Sequence, residues 1–292
     1  MIFVSMLMAL TLGAKTSLSL APRRRLVTAK MGPRSVAITH QLPADFTSTL
    51  DLIIELRQDR TAVVDRMGSE TMLDAAYQVG ADEATAAYQV LVSLMMSSQT
   101  KDVVNFEVMK KLRAHGLSVD NILATSEPNL NALIKQVGFH NVKTRNILAA
   151  TAILREKHEG QVPDTMGGLL ELPGVGPKMA LIFLNVVHGK VEGISVDTHV
   201  HRITRQLEWT SEEAKRPEQT RKQLEALLPK ELWREMNVLL VGLGQETQTE
   251  MPKLLGKCLS CSRPEGAFQL LVRLGVNVEK QLVKAGLSRM AK

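Results

Sequence analysis

Lys178 closes the run Leu172-Pro173-Gly174-Val175-Gly176-Pro177-Lys178, and nineteen residues later Asp197 stands in Val196-Asp197-Thr198-His199-Val200-His201-Arg202. An amine and a carboxylate brought together by a fold can do nucleophilic chemistry, with the amine attacking and the carboxylate handling its proton or steadying positive charge. The residues around Lys178 favour that use. Asp164-Thr165 after Pro163 reads as a helix start, and Met166, Leu169, Leu170 and Leu172 supply its apolar stripe. Pro173 stops that helix, while Gly174 and Gly176 tolerate positive φ and let a partner approach the backbone. Pro177 opens a second helix over 178–187, with Met179, Ile182, Phe183, Val186 and Val187 on one face. The pattern is a helix-hairpin-helix. Its bare N–H groups and helix N-terminus suit a phosphate, and the same dipole disfavours an ammonium at Lys178 and favours the free amine. The competing reading is a solvated surface lysine beside two capping glycines. Asp197 in turn suits the N-cap of a helix over 198–203, a role compatible with chemistry.

Together with Leu94-Met95-Met96-Ser97-Ser98-Gln99-Thr100-Lys101-Asp102, Val137-Gly138-Phe139 and Leu239-Leu240-Val241-Gly242-Leu243-Gly244-Gln245, these runs resemble the endonuclease III family of DNA glycosylases, its eukaryotic branch included. The similarity covers about residues 46–264. It implies an all-α, two-lobed helix-hairpin-helix glycosylase fold, and a bifunctional DNA glycosylase/AP lyase that excises oxidised pyrimidines from duplex DNA in base excision repair. On that resemblance Lys178 is the nucleophile that forms a Schiff base, and Asp197 is the active-site carboxylate. Gly174 and Gly176 serve a phosphate, Gln99 enters the space an extruded nucleotide vacates, and Phe139 wedges into the base stack. His199 and Arg202 are candidate DNA contacts, with helix surface as their other reading.

The chain has 292 residues, 45% of them hydrophobic and only 3% aromatic, which suits about two helical domains. Its net charge of +6 has one location: Lys15, Arg23, Arg24, Arg25, Lys30 and Arg34 precede Asp45 with no acidic residue among them. The rest of the chain is balanced, so a DNA face there must come from the placement of charges. Residues 1–44 form a leader. Its apolar start is shorter than the ~20 residues of a membrane span, and its Arg-rich, acid-free composition fits an organelle transit segment. A nuclear signal at Arg23-Arg24-Arg25, a tail, or a second start at Met31 are the other readings.

Helices are expected over 46–67, 83–96, 105–115, 129–136, 142–158, 217–227 and 229–241. Gln99 lies at a helix-loop junction, where its plain role is to cap the helix that follows. Phe139 beside Gly138 in a turn is a wedge or a loop anchor. Lys143, Arg145 and Arg155 are available to phosphate or solvent. The lobes are expected as a barrel domain over 81–207 and a second lobe from 45–80 and 208–292.

Most members of that family hold a [4Fe-4S] cluster with four cysteines spaced by six, two and five residues. Here only Cys258 and Cys261 exist, and the absent partners fall at Met251, or near Gln248 with an insertion, and at Ala267. The pair reads as a remnant, with no cofactor expected and no metal site, although a zinc shared with His or another subunit is a separate reading. The loop over 247–265 is then held by packing alone, with Lys253, Lys257 and Arg263 left to meet the DNA backbone. The implied partner is damaged double-stranded DNA, with no membrane, a monomeric state, and a nuclear and/or mitochondrial location. A silent helix-hairpin-helix binding module, and a monofunctional glycosylase using Asp197 and water, are the alternatives.

Overall fold

The computed structural model describes residues 41–287, so the targeting readings of the leader lie outside the described residues. Those residues form sixteen α-helices and one 3-10 turn, with no strand among them. The first is α1, Phe46–Leu56, which buries Phe46, Leu50, Leu52, Ile53 and Leu56 along one stripe. The single helix expected over 46–67 breaks after Leu56, and α2 covers only Val63–Met67. The cause is Arg57. It turns inward, and Arg60 takes the left-handed conformation at φ 48 to let the chain double back.

A 3-10 turn at Ser69–Thr71 leads to α3, Met72–Gln78, and α4, Glu83–Ser97. Asp82 caps α4 by accepting the Thr85 N–H at 2.7 Å. Every residue from Ala86 to Met96 is buried, as expected of a helix that is apolar on all sides. Around α4 lie α5 (Asp102–His115), α6 (Val119–Ala124), α7 (Glu127–Ile134), α8 (His140–His158), α9 (Met166–Leu170) and α10 (Pro177–His188). Their apolar residues share one core with α4 that also takes in Met72. Two hydroxyls are satisfied inside it, Tyr88 Oη and Thr151 Oγ1 lying 2.7 Å apart. Thus α3, which the sequence reading placed with the second lobe, packs on α4.

The remaining helices are α11 (Thr198–Gln206), α12 (Pro217–Leu227), α13 (Lys230–Thr249), α14 (Met251–Ser260), α15 (Pro264–Arg273) and α16 (Val278–Ala285). They pack on one another and on α1, so the N-terminal helix joins the C-terminal ones; α11 packs on α13 and α12. The expected end of α13 at Val241 is wrong by two turns, because Gly242 and Gly244 serve contact and not termination. A Cβ at 242 would overlap the Arg57 guanidinium, and one at 244 the His199 ring.

Arg57 is fully buried and binds Asp65 at 2.7 Å and Glu246 at 2.8 Å. Lys257 donates to the same Glu246 oxygen at 2.9 Å and to Thr61 at 2.7 Å. Lys257 is therefore drawn inward and is not left for phosphate. The expected loop over 247–265 is also corrected, since α13, α14 and α15 run through it with only short breaks. Leu254, Leu255 and Cys258 of α14 and Phe268, Leu270 and Leu271 of α15 are buried, and this apolar surface is what makes the segment fold.

Candidate active site

The hairpin is built as the sequence suggests. Val175 N–H bonds to the Leu172 carbonyl at 3.1 Å, and Gly174 takes φ +84. A Cβ on Gly174 would come within 2.7 Å of Asn146 Nδ2 on α8, so this glycine is needed for both conformation and approach. Gly176 caps α10 with no side-chain hydrogen bond, and beyond its chain neighbours no atom of the described residues lies within 4 Å of where its Cβ would be. The first-turn N–H groups of α10 thus keep no side-chain partner and can meet an anion.

Lys178 lies in that first turn. Its side chain is exposed and makes no hydrogen bond or ion pair among the described residues. Asp197 caps α11, its Oδ1 accepting the Val200 N–H at 2.8 Å, which leaves Oδ2 with no hydrogen bond in the described residues. The stretch leading into it is extended and pinned from both sides. Ile194 N–H donates to Glu225 Oε1 of α12 at 2.8 Å, and Asn237 Nδ2 of α13 donates to the Ser195 carbonyl at 2.7 Å. A Cβ on Gly193 would lie 2.5 Å from the same Glu225 oxygen.

The charges of both Lys178 and Asp197 are felt at His199. Its ring is half-buried against Gly244, and burial lowers its pKa; Asp197 and Asp102 favour the imidazolium, while Arg202 and Lys178 oppose it. Burial thus favours the neutral imidazole, and His199 packs as a spacer between α11 and α13. Gln245 completes this joint, accepting the Val64 N–H and donating to Asp102 Oδ2, each at 2.8 Å. Arg202 is half-buried; its Nη1 donates to Gln206 Oε1 at 2.9 Å, and its Nη2 is buried with no partner. It lines a cavity of about 390 Å³ with His201, Arg205, Gln206, Thr210 and Glu212.

Gln99 and Phe139 tip two neighbouring loops. Both take left-handed φ, 54 and 57, which costs a non-glycine residue on the order of 1–2 kcal/mol. Phe139 is 68% exposed, so it is not a buried loop anchor. Gln99 is exposed too and makes no capping bond to α5. Lys143, read from sequence as a cation for phosphate or solvent, is instead buried beneath these loops. The sequence reading missed Glu225, Asn237 and Arg57, and it gave Lys143 the wrong surroundings. Their one available signal was position, since Lys143 lies one helical turn beyond the Val137-Gly138-Phe139 motif and Asn237 two turns before Gly244.

This chain is 46% identical over 218 residues to endonuclease III-like protein 1 of Gallus gallus, which covers 75% of this chain and 76% of that one. It belongs to the endonuclease III family. Residues 92–230 match the model for the HhH-GPD superfamily base excision DNA repair protein. The endonuclease III homolog of Schizosaccharomyces pombe is 38% identical over 245 residues, covering 83% of this chain and 67% of that one. The fold is similar to that of a trapped endonuclease III–DNA covalent intermediate, with 25% identity and a TM-score of 0.54 over 74% of this chain and 98% of that one.

Against the cluster of endonuclease III relatives, the donor set of this chain does not fit. Cys258 is buried in α14, where burial, with Cys261 and Glu246 adding to it, pushes its thiol up to about 12. Cys261 donates its thiol proton to the Cys258 carbonyl at 3.3 Å. Met251 and Ala267 are buried apolar side chains, and Gln248 is exposed on α13. Among the described residues no group of three or more His, Cys, Asp or Glu side chains is placed to hold a metal ion. Because the thiolate is the reactive form, native protein is expected to react with a thiol reagent near pH 8 at Cys261 alone, and at both cysteines once unfolded. Rapid native labelling of Cys258, read by peptide mapping, would contradict its burial.

Proposed function

We propose that this protein is a bifunctional DNA glycosylase/AP lyase that removes oxidised pyrimidines from double-stranded DNA. The observation that carries the reading is an exposed, unengaged Lys178 in the first turn of α10, directly after the hairpin glycines, together with Asp197, which caps α11 through Oδ1 and keeps Oδ2 without a hydrogen bond among the described residues. Membership of the endonuclease III family, and the likeness to a member trapped covalently on DNA, support it.

The extruded nucleotide presents C1′ to the Lys178 amine. The Nζ lone pair forms the new bond to C1′ as the bond from C1′ to the base nitrogen breaks, and the base leaves with that electron pair and takes up a proton. Asp197 stabilises positive charge developing on the sugar and accepts the proton that Lys178 gives up. Ring opening yields a Schiff base. Loss of a C2′ proton then expels the 3′ phosphate, and water releases the lysine. Gly174, Gly176 and the first turn of α10 hold a DNA phosphate, while Gln99 and Phe139 fill the gap in the duplex. His199, its pKa lowered by burial, separates the helices, and Arg202 lines the cavity beside α11.

The protein acts as a monomer, without an iron-sulfur cluster, in the nucleus or an organelle. Some relatives carry chloroplastic in their names, as the two Arabidopsis thaliana homologues do. No helix of the described residues is long and apolar enough to cross a membrane. Purified protein is expected to contain substoichiometric iron and still form a borohydride-trapped adduct on a duplex carrying thymine glycol. Four irons per chain would overturn the cofactor reading, and binding to that duplex with neither adduct nor base release would leave a silent binding module.

A further inference from the structure

Lys143 stands in the first turn of α8, four residues beyond Phe139, yet its side chain is buried. Its ammonium donates to the main-chain carbonyls of Met96 at 2.7 Å and Ser98 at 2.5 Å, and to Thr100 Oγ1 at 3.2 Å. All three of its donors are used. The same Thr100 hydroxyl accepts the Gly138 N–H at 3.2 Å, and Gly138 packs so closely on the Gln99 carbonyl that a Cβ would overlap it. The ammonium therefore lies at the junction of segment 97–101, tipped by Gln99, and segment 135–139, tipped by Phe139.

Its partners are neutral oxygens, and burial lowers its pKa to about 8. A buried cation without a counter-charge is a costly way to fill space that a methionine would fill more cheaply. What the ammonium supplies and an apolar side chain would not is three directed bonds. These fix the carbonyls on either side of Ser97, and through Thr100 they reach the other loop.

We propose that Lys143 is a positioning residue that joins Gln99 and Phe139 into one rigid wedge, so that both tips enter the duplex together as a nucleotide is extruded. The inference rests on the reading of these tips as duplex probes. Two loops moving separately would each lose conformational freedom on the DNA, whereas a joined pair has lost it in folding. The benefit falls on extrusion, and chemistry on a nucleotide already outside the stack does not need it.

The test uses the full chain with Lys143→Met, which keeps the bulk, and with Thr100→Val, which removes the bridging hydroxyl but leaves Lys143 its two carbonyls. Without DNA, hydrogen exchange over 97–101 and 135–139 is expected to quicken about tenfold in both variants while α10 stays protected. With DNA, single-turnover excision of thymine glycol from a paired duplex should fall about tenfold, and β-elimination at an abasic site in a bulge by less than about threefold. Unchanged exchange in either loop, or equal losses on the two substrates, would overturn the proposal. If Lys143→Met loses protection throughout, Thr100→Val decides. A wild-type protein inactive on both substrates would sink the enzymatic reading instead, and the exchange data would still decide whether the tips are joined.

Discussion

Lys178→Gln abolishes the borohydride-trapped adduct and slows base release by about 10³-fold or more, the scale of losing a covalent nucleophile, while the melting temperature stays within a degree or so. The amide of Gln has no basic lone pair and cannot form an imine with C1′. Nor does the fold depend on the lysine, whose exposed side chain makes no hydrogen bond or ion pair among the described residues. Asp197→Asn is the companion variant. Asn is as good an N-cap as Asp, so the bond to Val200 N–H survives and α11 keeps its start. What disappears is the charge, and single-turnover base release should fall about 10²- to 10³-fold with folding intact. Base release by Lys178→Gln within tenfold of wild type, with no adduct, would show that water and Asp197 do the displacement.

Arg57→Ala should cost about 3–5 kcal/mol of stability, read as a shift of the urea midpoint at constant slope. The guanidinium is fully buried between Asp65 and Glu246, whose side chains are 3% and 1% exposed. Removing it leaves Glu246 with only Lys257 and Thr61, and Asp65 with the Ala62 N–H and Arg60 at 4.0 Å. Oε2 of Glu246 already has no partner, so the site has little means of adjusting. Gly242→Ala should have a comparable effect by a different route, because its methyl group would occupy the guanidinium's space within a long helix that cannot easily shift. A loss below about 1 kcal/mol for Arg57→Ala would mean that water screens the network as it does a surface pair.

The hairpin and its two catalytic candidates were legible because each depends on local rules. Proline and glycine punctuate the turn at 173–177, a three-residue spacing carries α10, and an acidic residue caps α11. Long-range partners were not legible. Nothing local distinguishes Lys143, which turns inward, from Arg145, which is exposed one helical position pair later. The break after Leu56 was missed because Glu246, which helps draw Arg57 inward, lies 189 residues away from it. Gly242 and Gly244 looked like a helix end for the same reason: what they accommodate comes from α1 and α11. The expectation of a loop over 247–265 followed from the missing cysteines; that packing would hold the segment was right, but the apolar surface of Leu254, Leu255, Phe268 and Leu271 organises it as helix.

One helix, α13, holds the extended approach to Asp197 through Asn237, seats His199 on Gly244, and anchors Arg57 beside Gly242. On the ribosome, Lys178 and Asp197 emerge before any of those supports exist. The support for Asp197 is therefore absent until some fifty further residues have followed, and a protein cut short before α13 carries Lys178 and Asp197 without the helix that holds the approach to the carboxylate.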